Sequence, residues 1–244
     1  MQPNSDYMLP ANHIFPRFIR IPLVIAVVIL NIYFVFIERS FTVLYYVLWL
    51  GGVGYFVVQY REAIVFHLRQ WKISPLLKFL ILGYGAMLAE EFIVGLVHAA
   101  NEGLSLATLL LRVSQFWAFN VFAFTGFIFG WYFFIRRYSY SLTDIFFISG
   151  LWGLFSEHTL SYLSQNPIAA VLLILPTMCT YNLIIAPALF SVAERGTKVV
   201  GIAWRYSSTL LLFLVFSIPP MAVLWFLRST FPDAFPPCEY ISCT

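Results

Sequence analysis

Glu90 and Glu91 stand side by side in "MLAEEFIVGLVHAANE", residues 87–102 of a 244-residue chain, and His98 follows seven positions after Glu91. Carboxyl and imidazole groups take and return protons near neutral pH, and a carboxyl held in an apolar cleft serves as general base or acid there. Neighbouring helical residues point about 100° apart, whereas i, i+4 and i+7 share a face. Glu91, Gly95 and His98 therefore form one stripe and Glu90 faces elsewhere. Gly95 leaves that stripe open for a close helix or a substrate. Further polar residues interrupt apolar sequence at Arg112, Asn120, Glu157, His158 and Asn182. Together Glu90, Glu91, His98, Arg112, Glu157 and His158 predict a polar constellation in one half of a helix bundle, with Asn120 and Asn182 deeper. Such a set suits hydrolysis by activated water or proton-initiated rearrangement of an isoprenoid. The structural alternative is that Arg112 pairs with Glu91 or Glu157 to fix packing, because a buried charge needs a partner.

The elements that must position these residues follow from composition. With 61% hydrophobic, 19% aromatic and only 10% charged residues, and a mean hydropathy of +0.85, the chain is too apolar for a water-facing surface. Its apolar runs approach the ~20 residues a helix needs to cross a bilayer and lack the ten-residue alternation of barrel strands. The expectation is an all-α, polytopic membrane protein with about seven transmembrane helices in one bundle, at roughly 19–37, 41–60, 79–100, 107–135, 142–163, 168–192 and 206–228. In domain terms, 1–16 is a cytoplasmic N-terminal segment, 17–229 the seven-helix transmembrane domain and 230–244 an extracytoplasmic tail. The start of the chain lacks a basic, cleavable leader, so the first span reads as an anchor. Residues 62–78 are mixed in polarity and read as an amphipathic stretch at the interface.

Arg17, Arg20, Arg61, Arg69, Lys72, Lys78, Arg136, Arg137, Arg195, Lys198 and Arg205 all fall on one side of this arrangement. Basic residues stay cytoplasmic, so the N-terminus is expected inside and the C-terminus outside. The net charge of +3 follows from that bias and needs no nucleic-acid partner. Cys179 reads as a packing residue inside the sixth span, and Cys238 and Cys243 lie on the outer side, where a disulfide, a metal or a lipid are alternatives. Gly126 and Gly130 form a GxxxG, permissive for close helix contact. Pro176, Pro187, Pro219 and Pro220 predict kinks.

"AEEFIVG" at 89–95, followed by "LFSEH" at 154–158, resembles the glutamate-dependent intramembrane proteases that include the type II CAAX prenyl proteases and the bacteriocin-processing enzymes. The resemblance implies a multi-span helical fold in which paired glutamates and histidines activate water to cut a membrane-embedded or lipidated substrate. It would make Glu90 and Glu91 the paired acids, Glu91 the base, His158 the histidine of the second motif and Asn182 an oxyanion-stabilising group. The arginine that ends the family's first motif has no counterpart at 94–96, and Arg112 could replace it only from another helix. His98, Arg112, Asn120 and Glu157 would support the site. In size and paired acids the chain is also similar to membrane-embedded carotenoid cyclases of the lycopene cyclase type.

Four histidines, His13, His67, His98 and His158, are too few for a histidine-rich di-iron desaturase, and no HExxH motif is present. Lys72, Lys78 and Lys198 fall near interfaces, which removes the retinal proteins. The hydrolase reading requires no cofactor; the alternative is a haem or pigment held through His98 and His158, in a non-catalytic subunit of a membrane complex. Expected partners are membrane lipid and either a membrane-protein substrate or neighbouring subunits. A visible absorption spectrum of the protein purified gently from its native membrane separates these readings. The hydrolase reading expects a colourless sample, and a stoichiometric band would assign both histidines to ligation.

Overall fold

The computed structural model describes residues 15–192 and 196–232, apart from the side chains of Arg17 and Arg69. His13, Arg195, Asp233 and Glu239, with the Cys238 and Cys243 pair, lie outside the described residues. Nine helices account for the described fold: α1 (Arg20–Tyr33, extended by a π turn over Phe34–Glu38), α2 (Leu44–Gln59), α3 (Arg61–Gln70), α4 (Pro75–Asn101), α5 (Leu106–Ala123), α6 (Thr125–Ile135), α7 (Leu142–Ser156), α8 (Pro167–Ser191) and α9 (Ile202–Thr230). Among the described residues there is no strand, only an isolated bridge between Tyr138 and Lys198. Five helices, α1 with its π turn, α4, α5, α8 and α9, are long and apolar enough to cross a membrane. The chain is an all-α membrane protein.

Local chemistry sets the helix ends. Ser74 accepts from the Leu77 amide at 3.3 Å and precedes Pro75, whose ring holds Ser74 extended at ψ 146°, so α4 starts four residues before the span expected at 79–100. The same break confines the amphipathic stretch to α3 and the turn after it. Ser141 and Asp144 close a reciprocal capping box on α7. Asn166 caps α8 through the Ala169 amide at 3.1 Å.

Three expected spans differ in detail. The segment at 107–135 is two helices bent at Phe124, although Phe124 N–H donates to Asn120 and Ile128 N–H donates to Phe124 across the bend, both at 2.9 Å. The helix expected over 142–163 stops at Ser156. Glu157 leaves the helix, His158 takes a left-handed φ of 52°, and a 3-10 turn at Ser161–Ser164 leads into α8. In α2 the middle eight residues, Val47–Gly54, form a π-helix, a widened coil that hydropathy alone does not reveal.

Burial ranks the helices. The most apolar window of α8 is 67% buried, against 6% for α1 and 11% for α9, so α8 is the central post and the outer helices present apolar faces to lipid. Helices α1, α2, α3, α4 and α7 pack on α8, whereas α9 packs on α6, α5 and α7. Pro176 and Pro187 lie inside α8, and Pro219 and Pro220 inside α9, without ending either helix. Cross-helix ties run from Trp117 Nε1 to the Leu88 carbonyl at 2.9 Å and from Trp131 Nε1 to Ser149 Oγ at 3.0 Å.

The GxxxG is a genuine contact. A β-carbon at Gly130 would stand 2.3 Å from the Phe213 ring, and one at Gly126 would stand 2.0 Å from Ser217 Oγ and 2.6 Å from the Phe213 carbonyl. Gly126→Val or Gly130→Val is therefore expected to force α9 away from α6 and cost roughly 1–3 kcal/mol or more, read as a lower thermal midpoint in detergent. Gly51→Ala and Gly52→Ala, with nothing within 4 Å of the added carbon, should leave that midpoint nearly unchanged.

Candidate functional site

Four elements converge on the paired glutamates. Glu90 and Glu91, 5% and 6% exposed, sit three-fifths of the way along α4. The two carboxyls are neighbours in sequence, and the charge of Glu90 acts on Glu91. Glu157, at the end of α7, lies within electrostatic reach of both. Its Oε1 accepts from the Tyr181 hydroxyl of α8 at 2.5 Å, and Ser156 Oγ donates to that same hydroxyl oxygen at 2.7 Å. From α2, the Tyr46 hydroxyl meets Thr177 Oγ1 of α8 at 3.1 Å. The Tyr45 and Tyr46 rings lie 4.1 Å apart, and both feel the charge of Glu90 and Glu157.

The site is thus three carboxyls ringed by tyrosine, serine and threonine hydroxyls, inside an aromatic wall. The Tyr181 ring stacks on Phe124 at 5.2 Å and meets Phe127 edge-on at 5.7 Å. Burial is graded: Glu90, Glu91, Tyr46 and Tyr181 are buried, whereas Glu157 and His158 are exposed at the rim.

The remaining residues singled out in the sequence lie elsewhere or act differently. Arg112 holds Glu102 in a two-pronged bond, Nη2 to Oε1 at 2.6 Å and Nε to Oε2 at 3.0 Å, and its Nη1 reaches Gln115 at 3.3 Å. Its carboxylate partner is Glu102 and not Glu91 or Glu157. His98, half-buried, packs its ring on Phe116 at 5.3 Å, near the Arg112–Glu102 pair. Gly95 is not an open position on the stripe: Val113 of α5 fills it, and a β-carbon there would stand 2.8 Å from Val113 Cγ2. Asn120 is buried on α5. The Asn182 amide donates to the Phe146 carbonyl at 3.0 Å and to the Met178 carbonyl at 3.2 Å, which ties α8 to α7. His158 neighbours Glu157, on whose carboxyl its charge acts. No group of three or more His, Cys, Asp or Glu placed to hold a metal ion occurs among the described residues.

Sequence reasoning missed Tyr45, Tyr46, Thr177 and Tyr181. Nothing separates these tyrosines from the other members of a set of 14; only the packing of α2 and α8 against α4 selects them. It also missed a second polar cluster between α7 and α9, where Arg205 Nη1 donates to Asp144 Oδ2 at 2.6 Å and the Tyr140 hydroxyl meets Thr209 Oγ1 at 2.8 Å. Tyr140, in the link before α7, is pushed up to about 12, chiefly by burial.

Tyr181→Phe removes the hydroxyl that joins Ser156 to Glu157, while Ser156 keeps the Gly153 carbonyl and Glu157 stays at the exposed rim. It is expected to lower stability by ~0.5–1.5 kcal/mol, measured by thermal or denaturant unfolding in detergent. Asn182→Ala should cost a similar amount by freeing the Phe146 carbonyl at the α7–α8 contact, with refolded protein keeping its secondary structure by circular dichroism.

Compared with known proteins, the chain matches no protein-family model, no curated protein and no solved structure.

Proposed function

We propose that the protein is an intramembrane glutamate-dependent hydrolase acting on a membrane-embedded or lipidated substrate, with Glu90 and Glu91 working as one acid–base unit. The observation that carries this reading is a buried pair of adjacent carboxyls with a third, Glu157, within electrostatic reach of both. Two acids sharing one proton hold a base and an acid within reach of the same carbonyl group, the arrangement that aspartic proteases use. Glu91 takes a proton from water, the water oxygen bonds to the substrate carbonyl carbon, and Glu90 gives the shared proton to the carbonyl oxygen. Collapse of the tetrahedral species breaks the bond to the leaving group, Glu91 returns the abstracted proton to it, and one hydroxyl of the product gives its proton back to Glu90. The resemblance of "AEEFIVG" to the intramembrane glutamate proteases supports the same chemistry.

Within this proposal Glu157 and His158 exchange protons with water at the rim, and Asn182 positions α8 against α7. Arg112 keeps α4 and α5 together at the loop between them. No cofactor is required. The topology proposed with it has seven crossings across 17–229: α1, α2, α4, the bent pair α5 and α6, α7, α8 and α9. Residues 1–16 lie in the cytoplasm and 230–244 outside. The uniform placement of the basic residues supports that orientation.

One observation favours a second reading, proton-initiated isoprenoid chemistry. The ring faces of Tyr181 and Phe124 beside the carboxyls are the kind of wall that stabilises a carbocation.

The test compares native membranes carrying the wild-type protein with those carrying Glu91→Gln or Glu90→Gln. Membrane-protein fragments are quantified by mass spectrometry and isoprenoids by chromatography. Loss of a general base or acid is worth about 10²–10⁴ in rate, so specific fragments present with wild type should vanish with either variant. Unchanged fragments with altered isoprenoids would transfer the site to the second reading, and no change in either would overturn the catalytic role.

A further inference from the structure

The two guanidinium groups that hold carboxylates in this protein do so through different edges. Arg112 uses the Nε–Nη2 edge, which takes both oxygens of Glu102. Arg205 uses Nη1 alone: it donates to Asp144 Oδ2 at 2.6 Å and to the Ser139 carbonyl at 3.4 Å. Its Nε is buried without a hydrogen-bond partner, and its Nη2, equally unbonded among the described residues, is not sealed in. The edge best shaped to grip two oxygens of a carboxylate or phosphate is thus unused.

The surroundings of Arg205 are basic. Ser139, whose carbonyl takes Arg205 Nη1, donates its amide to the Lys198 carbonyl at 3.1 Å, and Tyr138 and Lys198 form a parallel bridge. Gly196 packs on the same segment, since a β-carbon there would collide with the Arg137 backbone. Arg137 and Lys198 are exposed and form no ion pair among the described residues; their cations lie over the Phe133 ring at 4.7 Å and the Tyr138 ring at 5.6 Å. Asp144 Oδ2 also accepts from the Ser141 amide and hydroxyl, and its charge cancels that of Arg205. Arg205 therefore supplies the fork, and Lys198 and Arg137 supply the net positive field.

Depth and exposure identify the ligand. Arg205 is the fourth residue of α9, ~5 Å from its start, which is the level of headgroup phosphates around a spanning helix. Val199, Ile202 and Trp204 beside it are 79%, 65% and 57% exposed, an apolar rim with an interfacial tryptophan that suits acyl chains. Basic pockets between spanning helices bind anionic headgroups, and these residues lie on the side proposed as cytoplasmic, where such lipids concentrate.

We infer that the Nε–Nη2 edge of Arg205 is the receptor for the phosphate of an anionic phospholipid, drawn there by Lys198 and Arg137. A zwitterionic lipid brings a second cation into the same field and is disfavoured.

The test titrates phosphatidylglycerol and phosphatidylcholine of the same acyl chains into the full chain in detergent and counts bound lipid by native mass spectrometry. Phosphatidylglycerol is expected to bind about tenfold more tightly than phosphatidylcholine, the product of two basic residues each worth a few-fold. Arg205→Lys keeps a cation for Asp144 but removes the fork, and should weaken phosphatidylglycerol binding about tenfold. Lys198→Gln and Arg137→Gln, both at exposed positions, should weaken it about fivefold each and leave the thermal midpoint of lipid-free protein unchanged. Equal affinity for the two lipids, or full affinity in Arg205→Lys, overturns the assignment. Displacement of phosphatidylglycerol by millimolar inorganic phosphate would make this a site for free phosphate and overturns it too. Should Arg205→Lys not fold, the glutamine variants decide: fivefold losses support the site, and unchanged affinity overturns it. Because the readout is bound lipid, the result stands apart from the acid–base reading of Glu90 and Glu91.

Discussion

Polar groups inside a bilayer-sized bundle have no water to turn to, and the whole interior of this protein is arranged around that constraint. Asn182 satisfies two backbone carbonyls, Trp131 finds Ser149, Tyr140 finds Thr209 and Tyr46 finds Thr177. Each of these bonds crosses from one helix to another or stitches a helix to its own backbone. Dispersion packs the apolar faces without choosing among them, since lipid tails are as apolar as leucine. The polar bonds are what select one register for α8 against α2 and α7, and hence what brings Glu157 and the tyrosines to the side of Glu90 and Glu91.

Helix α8 makes this possible because it is buried nearly all round. It supplies Thr177, Thr180, Tyr181 and Asn182 within six residues, so almost two turns of one helix address three neighbours in different directions. Thr177 addresses α2, while Tyr181 reaches Glu157 beyond α7 and Asn182 reaches Phe146 within α7. Close approach is arranged by small residues on the partners. A β-carbon at Gly153 would stand 2.5 Å from the Tyr181 ring, and one at Gly150 would stand 2.6 Å from Met178. The tyrosine that binds Glu157 therefore lies over a glycine of the same helix that ends in Glu157.

Much of the architecture was legible in the sequence, and the reasons are physical. Hydropathy marks the long apolar helices because the bilayer selects length and composition together, and Ser74 with Pro75, Ser141 with Asp144, and Asn166 with Pro167 announce their helix starts chemically. Glu90, Glu91 and Glu157 stood out because charge is rare in apolar sequence. What the sequence hid was partner choice. Arg112 was as free on paper to bind Glu91 as Glu102, and only the tight turn at 102–105 decides that it binds the glutamate ten residues before it. The tyrosines were hidden for the opposite reason: aromatics are everywhere in this chain, and a hydroxyl in a site looks the same in sequence as one in an interfacial belt. The π-helix in α2 was illegible because its residues read as ordinary apolar helix.

The contrast between the carboxyls is what separates structure from function here. Glu102 at one end of the bundle holds Arg112, and Asp144 at another holds Arg205; in both the acid is matched to a guanidinium, as stability alone demands. Around Glu90 and Glu91 the pattern inverts. The groups whose charge acts on Glu91 are Glu90 and Glu157, and on Glu90 it is Glu157. Two buried acids whose charged neighbours are acids, with no guanidinium matched to either, do not improve folding, because like charges at short range raise the energy of the bundle. A buried cluster that opposes stability persists where the property it confers is useful, and the property of carboxyls that must share protons is the readiness to take one up and pass one on. That local violation supports the proposed acid–base work of Glu90 and Glu91 more strongly than any motif in which they occur.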